Sequence, residues 1–534
     1  MHHKTGKDRR QIVLIPTCLD DIISGDNPVR LIDAFVDALE MDSHGFVHVQ
    51  PKEKGAPPYE PGTLLKIYLY GYLNRLRSSR RLENACTNNI ELMWLTQQLT
   101  PSHSTIATFR RENKKPLKET FRTFNRFCRG EDLFGKETVA VDGSKFRAQN
   151  SKKNNFNEKK VERALAYHDR KIEEYLTALE ENDEGEKADE TWKKLHRSTA
   201  QFLRHRELGE ELAAAKENGE RQVSTSDPDA RALPLHMNIV EVGYNVQTAT
   251  DEKHNMVAHF EVTNQKDDYA LSGVATKAKM ELGLKKEENL NVLADKGYCT
   301  GSELKKCEDG KIATYVAPKE NRGNGKSNVF SKTDFVYNPD RDAYICPFNE
   351  ELTSNGSWYE KKGRLPGASP YRFKRYTIYF GTCNACPFRD ECLSPGRQKH
   401  RQGRYIERSE FEDCLEANKE RVENDRELYR KRQSIAEHPF GTIKRQWGYT
   451  FTLLKTIEKV EAEFALIFTA YNMKRAMTIL GTSYLINKLK GMKNSLKGLF
   501  FKEMNVWRST EHLMFGKIFL ENKINYGSMG ICGA

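Results

Sequence analysis

Two short apolar runs in this 534-residue sequence each end on an aspartate. "ETVAVDGSK" carries Val139-Ala140-Val141 into Asp142, and "NLNVLADKG" carries Val292-Leu293-Ala294 into Asp295. Branched and small apolar residues in such runs read as strands buried on both faces. One strand that stops on an acid says little. Two of them side by side in parallel put their ends about 4.8 Å apart, so both carboxylates can reach a shared metal. Carboxylates are hard oxygen donors suited to Mg²⁺ or Mn²⁺, and two such ions can clamp both oxygens of a phosphoryl displacement.

The segments around them supply an order. "NIVEVGYNVQTAT" (238–250) and "NMVAHFEVTN" (255–264) read as strands joined by a hairpin, followed by a helix from 268 to about 283. After the Asp295 strand comes "KIATYVAPK" (311–319), one more strand. Residues 151–222 are charged and helix-forming. Val161, Leu165, Ile172 and Leu179 keep an apolar line there, with a second through Leu195, Phe202, Leu203 and Leu208. A break at 181–190 between the two predicts an antiparallel helical hairpin. Residues 320–400 are rich in Gly, Asn, aromatics and Cys, and 410–480 return to helix. Strand, insertion, two strands, helix, two strands, insertion and helices is the order of an α/β fold with a mixed sheet and an RNase H-like core. The expected domains are a helical N-terminal domain (1–130), a catalytic domain (137–480) holding insertions at 151–222 and 320–400, and a tail (481–534).

Residues 1–130 read as helical. Pro61 suits the first turn of "PGTLLKIYLYGYLNRLRSSRRLENAC", and "TPSHSTIATFRREN" (100–113) is a polar turn leading into a short helix. Short helices around a polar turn with Arg77, Arg80, Arg81, Arg110 and Arg111 fit a helix-turn-helix-like DNA-binding module; a plain bundle with a solvated charged face is the alternative. A net charge of +11 suits a polyanion partner. No run of about 20 apolar residues predicts a membrane span. The apolar run near the N-terminus ends at Pro16, too short for a secretory signal, so a cytoplasmic protein is expected.

A third acid belongs with the two aspartates. The candidate is Glu437, in "LYRKRQSIAEHPFGTIKRQWGY", with Lys444 seven residues on and so near the same helical face. One would hold metal and the other DNA phosphate. Ser434 and Glu437 also match a capping box, though Pro439 would then fall inside the new helix. Cys346, Cys383, Cys386 and Cys392 suit a tetrahedral structural Zn²⁺ site, with His400 as a spare ligand; a redox pair or unlinked buried thiols are the alternatives. Asp227 and Asp229 read as an Asx turn before a strand, and Trp447 as core packing or a base-stacking platform.

"AVDGSKFRA", "STSDPDAR" (224–231), "GYNVQTATDEKH", "LADKGY" and "AEHPFGTIKRQWG", in this order, resemble DDE transposases of bacterial insertion sequences, closest to the eleven-eighty-two group. The N-terminal helices resemble the domain found with those enzymes, and the likeness covers roughly residues 10–480. It implies Asp142, Asp295 and Glu437 as a catalytic triad holding two Mg²⁺ or Mn²⁺ ions. It also implies insertion-sequence terminal repeats and target DNA as partners, and a homo-oligomer that pairs two ends. In related transposases the glutamate sits in a signature of Tyr, two residues, Arg, three residues, Glu, six residues and Lys. Tyr429, Arg432, Glu437 and Lys444 match it except that four residues separate Arg432 from Glu437. On a continuous helix that turns Arg432 about 140° from Glu437 and leaves Arg430 and Gln433 on the glutamate's face. A nuclease without strand transfer and a non-catalytic DNA-binding regulator are the competing readings.

Overall fold

The computed structural model describes residues 18–51, 57–181, 185–217, 220–234, 240–319, 330–362 and 370–492. Contacts divide these into two compact units. Residues up to Phe127 and from Phe464 onward form one, and Cys128–Glu463 form the other. Sequence pattern alone puts 464–480 in the catalytic domain and 481–492 in the tail; most of that tail lies outside the described residues.

The first unit is helical. Pro61 occupies the first turn of Pro61–Leu73, and the Ser102 hydroxyl accepts from the Thr105 N–H to start His103–Glu112. Tyr68, Tyr72, Ile106, Phe121 and Phe124 are buried in its core. Phe464, Leu466, Ile467 and Phe468 join it because the helix Ile457–Leu480 is apolar nearly all round and has to be covered. Phe468 meets the Phe121 ring, and Asn472 donates to Asn125 Oδ1 at 2.7 Å.

The second unit is built on a mixed sheet. Strand β1 is Thr138–Arg147; a two-residue ribbon, β2 (Asn155–Phe156) and β3 (Val223–Ser224), closes the base of the first insertion. β4 (Arg231–Pro234), β5 (Val240–Asp251), β6 (Val257–Thr263), β7 (Leu290–Ala294) and β8 (Ile312–Val316) complete the sheet. Its order is β4-β5-β1-β7-β8, with β6 also on β5. β5 runs antiparallel to β1, β4 and β6, whereas β1, β7 and β8 are parallel. Val139, Ala140, Val141, Val292, Leu293 and Ala294 are fully buried, as the apolar runs predicted. A helix the sequence did not reveal, Gly301–Asp309, connects β7 to β8.

The first insertion is a helical hairpin, Glu158–Glu181 and Glu186–Glu217. Val161 packs with Leu208 and Leu212, and Leu179 with Ala188 and Leu195, so the helices run antiparallel. Leu203, expected inside, is exposed. The second insertion forms its own antiparallel sheet of β9 (Val336–Asn338), β10 (Ala343–Ile345), β11 (Glu351–Ser354), β12 (Tyr359–Lys361), β13 (Tyr371–Thr377) and β14 (Tyr405–Ser409). Phe335, Tyr344, Leu352, Tyr376 and Ile406 fill its core.

Candidate active site

β1 does not stop on Asp142, as expected; it runs five residues further along β5. What stops is its parallel neighbour. Thr138, Val139 and Ala140 pair with Asn291, Val292 and Leu293, and β7 ends at Ala294. Continuing that register by two residues sets Asp142 beside Asp295, where the β7 flank of β1 opens. Asp142 Oδ1 accepts the Gly143 N–H at 2.8 Å, and Asp295 Oδ1 accepts the Gly297 N–H at 2.8 Å. Burial raises the Asp142 pKa to about 6. The Gly143 N–H opposes that shift, Asp295 adds to it, Arg432 pulls it down and Asp267 pushes it up.

Glu437 lies on the helix Arg426–Phe440, which starts at an Asp425 cap and runs unbroken past Ser434. A capping box at Ser434 is therefore excluded; its hydroxyl bonds back to Lys431 O at 2.8 Å. Pro439 sits within this helix, which passes into a π-helical turn, Gly441–Gln446. A proline supplies no N–H to the ladder, a physical cause for such a change of pitch. Ile435 and Ala436 pack on Ala140 and Leu293, each two residues before an aspartate. That contact fixes the helix over the strand ends. Glu437 itself is exposed and accepts Gln433 Nε2 at 3.0 Å. Gln433 thus shares its face, as the five-residue offset required, while Arg432 acts on Asp142.

Lys444 reaches β1 just past Asp142. Its ammonium donates to Ser144 Oγ at 2.7 Å and to Lys145 O at 2.6 Å, over the Phe146 ring. Burial first and Lys145 second lower its pKa to about 8, with Asp142 opposing both.

A polar network beneath the aspartates is not legible in the motifs. Asp267 Oδ1 accepts from Asn245 Nδ2 at 2.8 Å and Gln247 Nε2 at 2.6 Å, and its Oδ2 from Lys145 Nζ at 2.8 Å. Gln247 in turn accepts the Tyr298 hydroxyl, three residues after Asp295. The network thereby joins the strand of Asp142 to the turn of Asp295. A Cβ at Gly143 would press on the ends of the Gln247, Asp267 and Asn245 side chains, so any larger residue beside Asp142 displaces this network. The one sequence signal for it is in "GYNVQTAT", where two amides alternate within a stretch that is buried throughout.

Other candidates stand elsewhere. Arg77 and Arg110 are buried, and Arg110 donates to Tyr72 Oη at 2.8 Å, so neither faces DNA; Arg80, Arg81, Arg111 and Arg430 are exposed. Asp227 and Asp229 form no Asx turn: Asp227 accepts from Thr456 N and Asp229 from Ile457 N, at the start of the helix Ile457–Leu480. Trp447 is buried against Tyr449, which removes it as a stacking platform.

Cys346, Cys383, Cys386 and Cys392 line one cavity of about 30 Å³, and Cys346 Sγ accepts the N–H groups of Phe348 and Glu350 at 3.3 Å each. His400 is exposed and does not line it. Among the described residues no three His, Cys, Asp or Glu side chains are gathered tightly enough to hold a metal ion. For the acids, the two aspartates are adjacent and Glu437 is held by Gln433. For the thiols, the donor chemistry suits Zn²⁺ and the sulfurs surround a common space without converging on it. None of the described helices is long and apolar enough to cross a membrane.

Residues 17–112 match a Transposase domain (DUF772), and residues 345–477 match a Transposase DDE domain. The second match contains Glu437, Lys444 and the four cysteines but neither aspartate. Among solved structures, the chain is similar to the piggyBac transposase in the cryo-EM structure of its synaptic complex with hairpin DNA. The identity is 9% and the TM-score 0.29, over 90% of this chain and 82% of that one. No curated protein matches the chain.

Proposed function

We propose that this chain, a DDE transposase by its two matched domains, cuts DNA at insertion-sequence ends and joins those ends to target DNA by divalent-metal-dependent phosphoryl transfer. The observation that carries the chemistry is the register that sets Asp142 beside Asp295 under a helix bearing Glu437. The strand order β6-β5-β1-β7-β8, three antiparallel and then two parallel to the first, supports an RNase H-like core.

Asp142, Asp295 and Glu437 would hold two Mg²⁺ or Mn²⁺ ions, with Glu437 released from Gln433. Such ions, when bound, polarise the scissile phosphate and generate a nucleophile from water at neutral pH. The chain's own residues do the rest. Asp142 must be ionised, and Lys444, with two of its three donors spent on β1, keeps one for a phosphate oxygen. Arg430 and the exposed Arg80, Arg81 and Arg111 would meet the DNA backbone. The same site then receives a terminal 3′-hydroxyl for attack on target DNA, with no covalent protein–DNA intermediate. Two copies would pair two ends, in the cytoplasm. Cys346, Cys383, Cys386 and Cys392 would bind a structural Zn²⁺ that ties β10 to the segment after β13; that all four line one cavity supports this.

The test is a strand-transfer assay with a labelled terminal fragment of the element. Metal-dependent joining that disappears in Asp142→Ala supports the proposal. Cleavage without joining identifies a nuclease, and binding with neither identifies a regulator.

A further inference from the structure

The root of the helical hairpin carries a basic concavity that the strand chemistry does not use. It encloses about 460 Å³ and is lined by Lys152, Lys153, Lys160, Arg204 and His205, with no acid among its lining residues. Its parts divide into support and display. Lys160 donates to the carbonyls of Lys152 and Lys153 at 2.8 Å and of Asn155 at 2.9 Å, over the Phe156 ring. His205 is fixed by Gln201 O at 2.7 Å and by its ring contact with Phe156. These contacts hold the 3₁₀ turn Lys152–Asn154 to the start of the hairpin's first helix, and Phe156 to the second. Lys152, Lys153 and Arg204 are exposed, and among the described residues none of the three is paired with a carboxylate.

We propose that this concavity grips the phosphodiester backbone of the DNA being processed, through Lys152, Lys153 and Arg204. The proposal rests on the transposase reading and adds a contact point to it. Three unpaired cations on a fixed frame gain by displacing condensed counterions from phosphates. The position also fits. Lys152 is ten residues from Asp142, and ten extended residues span at most about 35 Å. That length is about one turn of B-form DNA, so one duplex reaches both the aspartates and the hairpin root.

The experiment uses the full-length chain without added divalent metal and a fluorescent 30-base-pair duplex of arbitrary sequence, titrated by anisotropy between 50 and 200 mM KCl. Each phosphate contact contributes about 0.9 to the slope of log K against log salt. Lys152→Ala, Lys153→Ala and Arg204→Ala combined should lower the slope by about 2 to 3. A control triple on the far part of the hairpin, Lys187→Ala, Lys193→Ala and Lys194→Ala, removes the same charge and should leave it unchanged. An unaltered slope in the first triple, or an equal loss in both, overturns the proposal and leaves the transposase reading standing. A wild-type chain without affinity for duplex overturns both.

Discussion

Asp142 and Asp295 each stand two residues beyond Ala140 and Leu293, a matched pair on neighbouring parallel strands. Each carboxylate has one oxygen tied to a nearby backbone N–H, and each repels the other's charge. The site is preorganised at a cost to the folded chain.

That cost predicts a stabilising substitution at Asp142. The Asp142 pKa rises from 3.8 unfolded to about 6 folded, so the folded chain binds the proton more tightly. The penalty is absent below pH 4, develops between about 4 and 6, and is complete above 6. Asp142→Asn should therefore stabilise the chain in metal-free buffer at pH 7.5 by up to about 3 kcal/mol, read as a higher melting temperature. The gain should vanish near pH 4, and a gain independent of pH would rule out the buried charge as its origin.

Glu437 is exposed and, among the described residues, its carboxylate bonds only to Gln433, so it supports little of the fold. Glu437→Gln should change stability by less than about 0.5 kcal/mol. Metal-supported DNA cleavage should fall on the order of a thousandfold. Thermal melts run beside a cleavage assay check both halves, and retained cleavage would remove Glu437 from the site.

Lys444 has a pKa lowered to about 8, so it is charged below pH 8 and neutral above. DNA affinity should drop roughly threefold to tenfold as pH passes from 7 to 9 at low salt, the effect of losing one phosphate contact. Lys444→Arg keeps its charge throughout and should flatten that profile. Anisotropy titrations at fixed ionic strength provide the measurement.

Burial separates the N-terminal arginines. Arg110 donates to Tyr72 and lies over the Tyr68 ring, so Arg110→Ala should destabilise the fold by about 2–4 kcal/mol. Arg80→Ala and Arg81→Ala should leave stability within about 0.5 kcal/mol and weaken DNA binding instead. Denaturant melts with parallel binding curves distinguish the two classes.

The thiol assignment predicts about one zinc per chain by elemental analysis. Cys383→Ser with Cys386→Ser should remove it, and chelation should lower the melting temperature of the wild type but not of that variant. Iron in place of zinc, or a Cys383–Cys386 disulfide without metal, would refute the assignment.

Local pattern was enough for what depends on neighbours in sequence. The buried runs Val139–Val141 and Val292–Ala294, the helical hairpin, and Pro61 and Ser102 at helix starts all follow from periodicity and capping chemistry. Asp142, Asp295 and Glu437 were candidates on the same ground, as acids placed where strands and a helix were expected. What needed the fold was everything set by partners distant in the chain. Arg77 and Arg80 look alike in a basic string, and only packing buries the first. Asp267 joins Lys145, Asn245 and Gln247 because β1 and β5 are neighbours, a pairing no window of sequence contains. The helix of Glu437 runs straight through Ser434, since Ile435 and Ala436 gain more from burial on Ala140 and Leu293 than a break there would return. Sequence alone determined the buried strands, the helical hairpin and which acids they carry, because these follow from local periodicity; tertiary contact decided where β1 ends, which charges are buried, which are displayed and which meet.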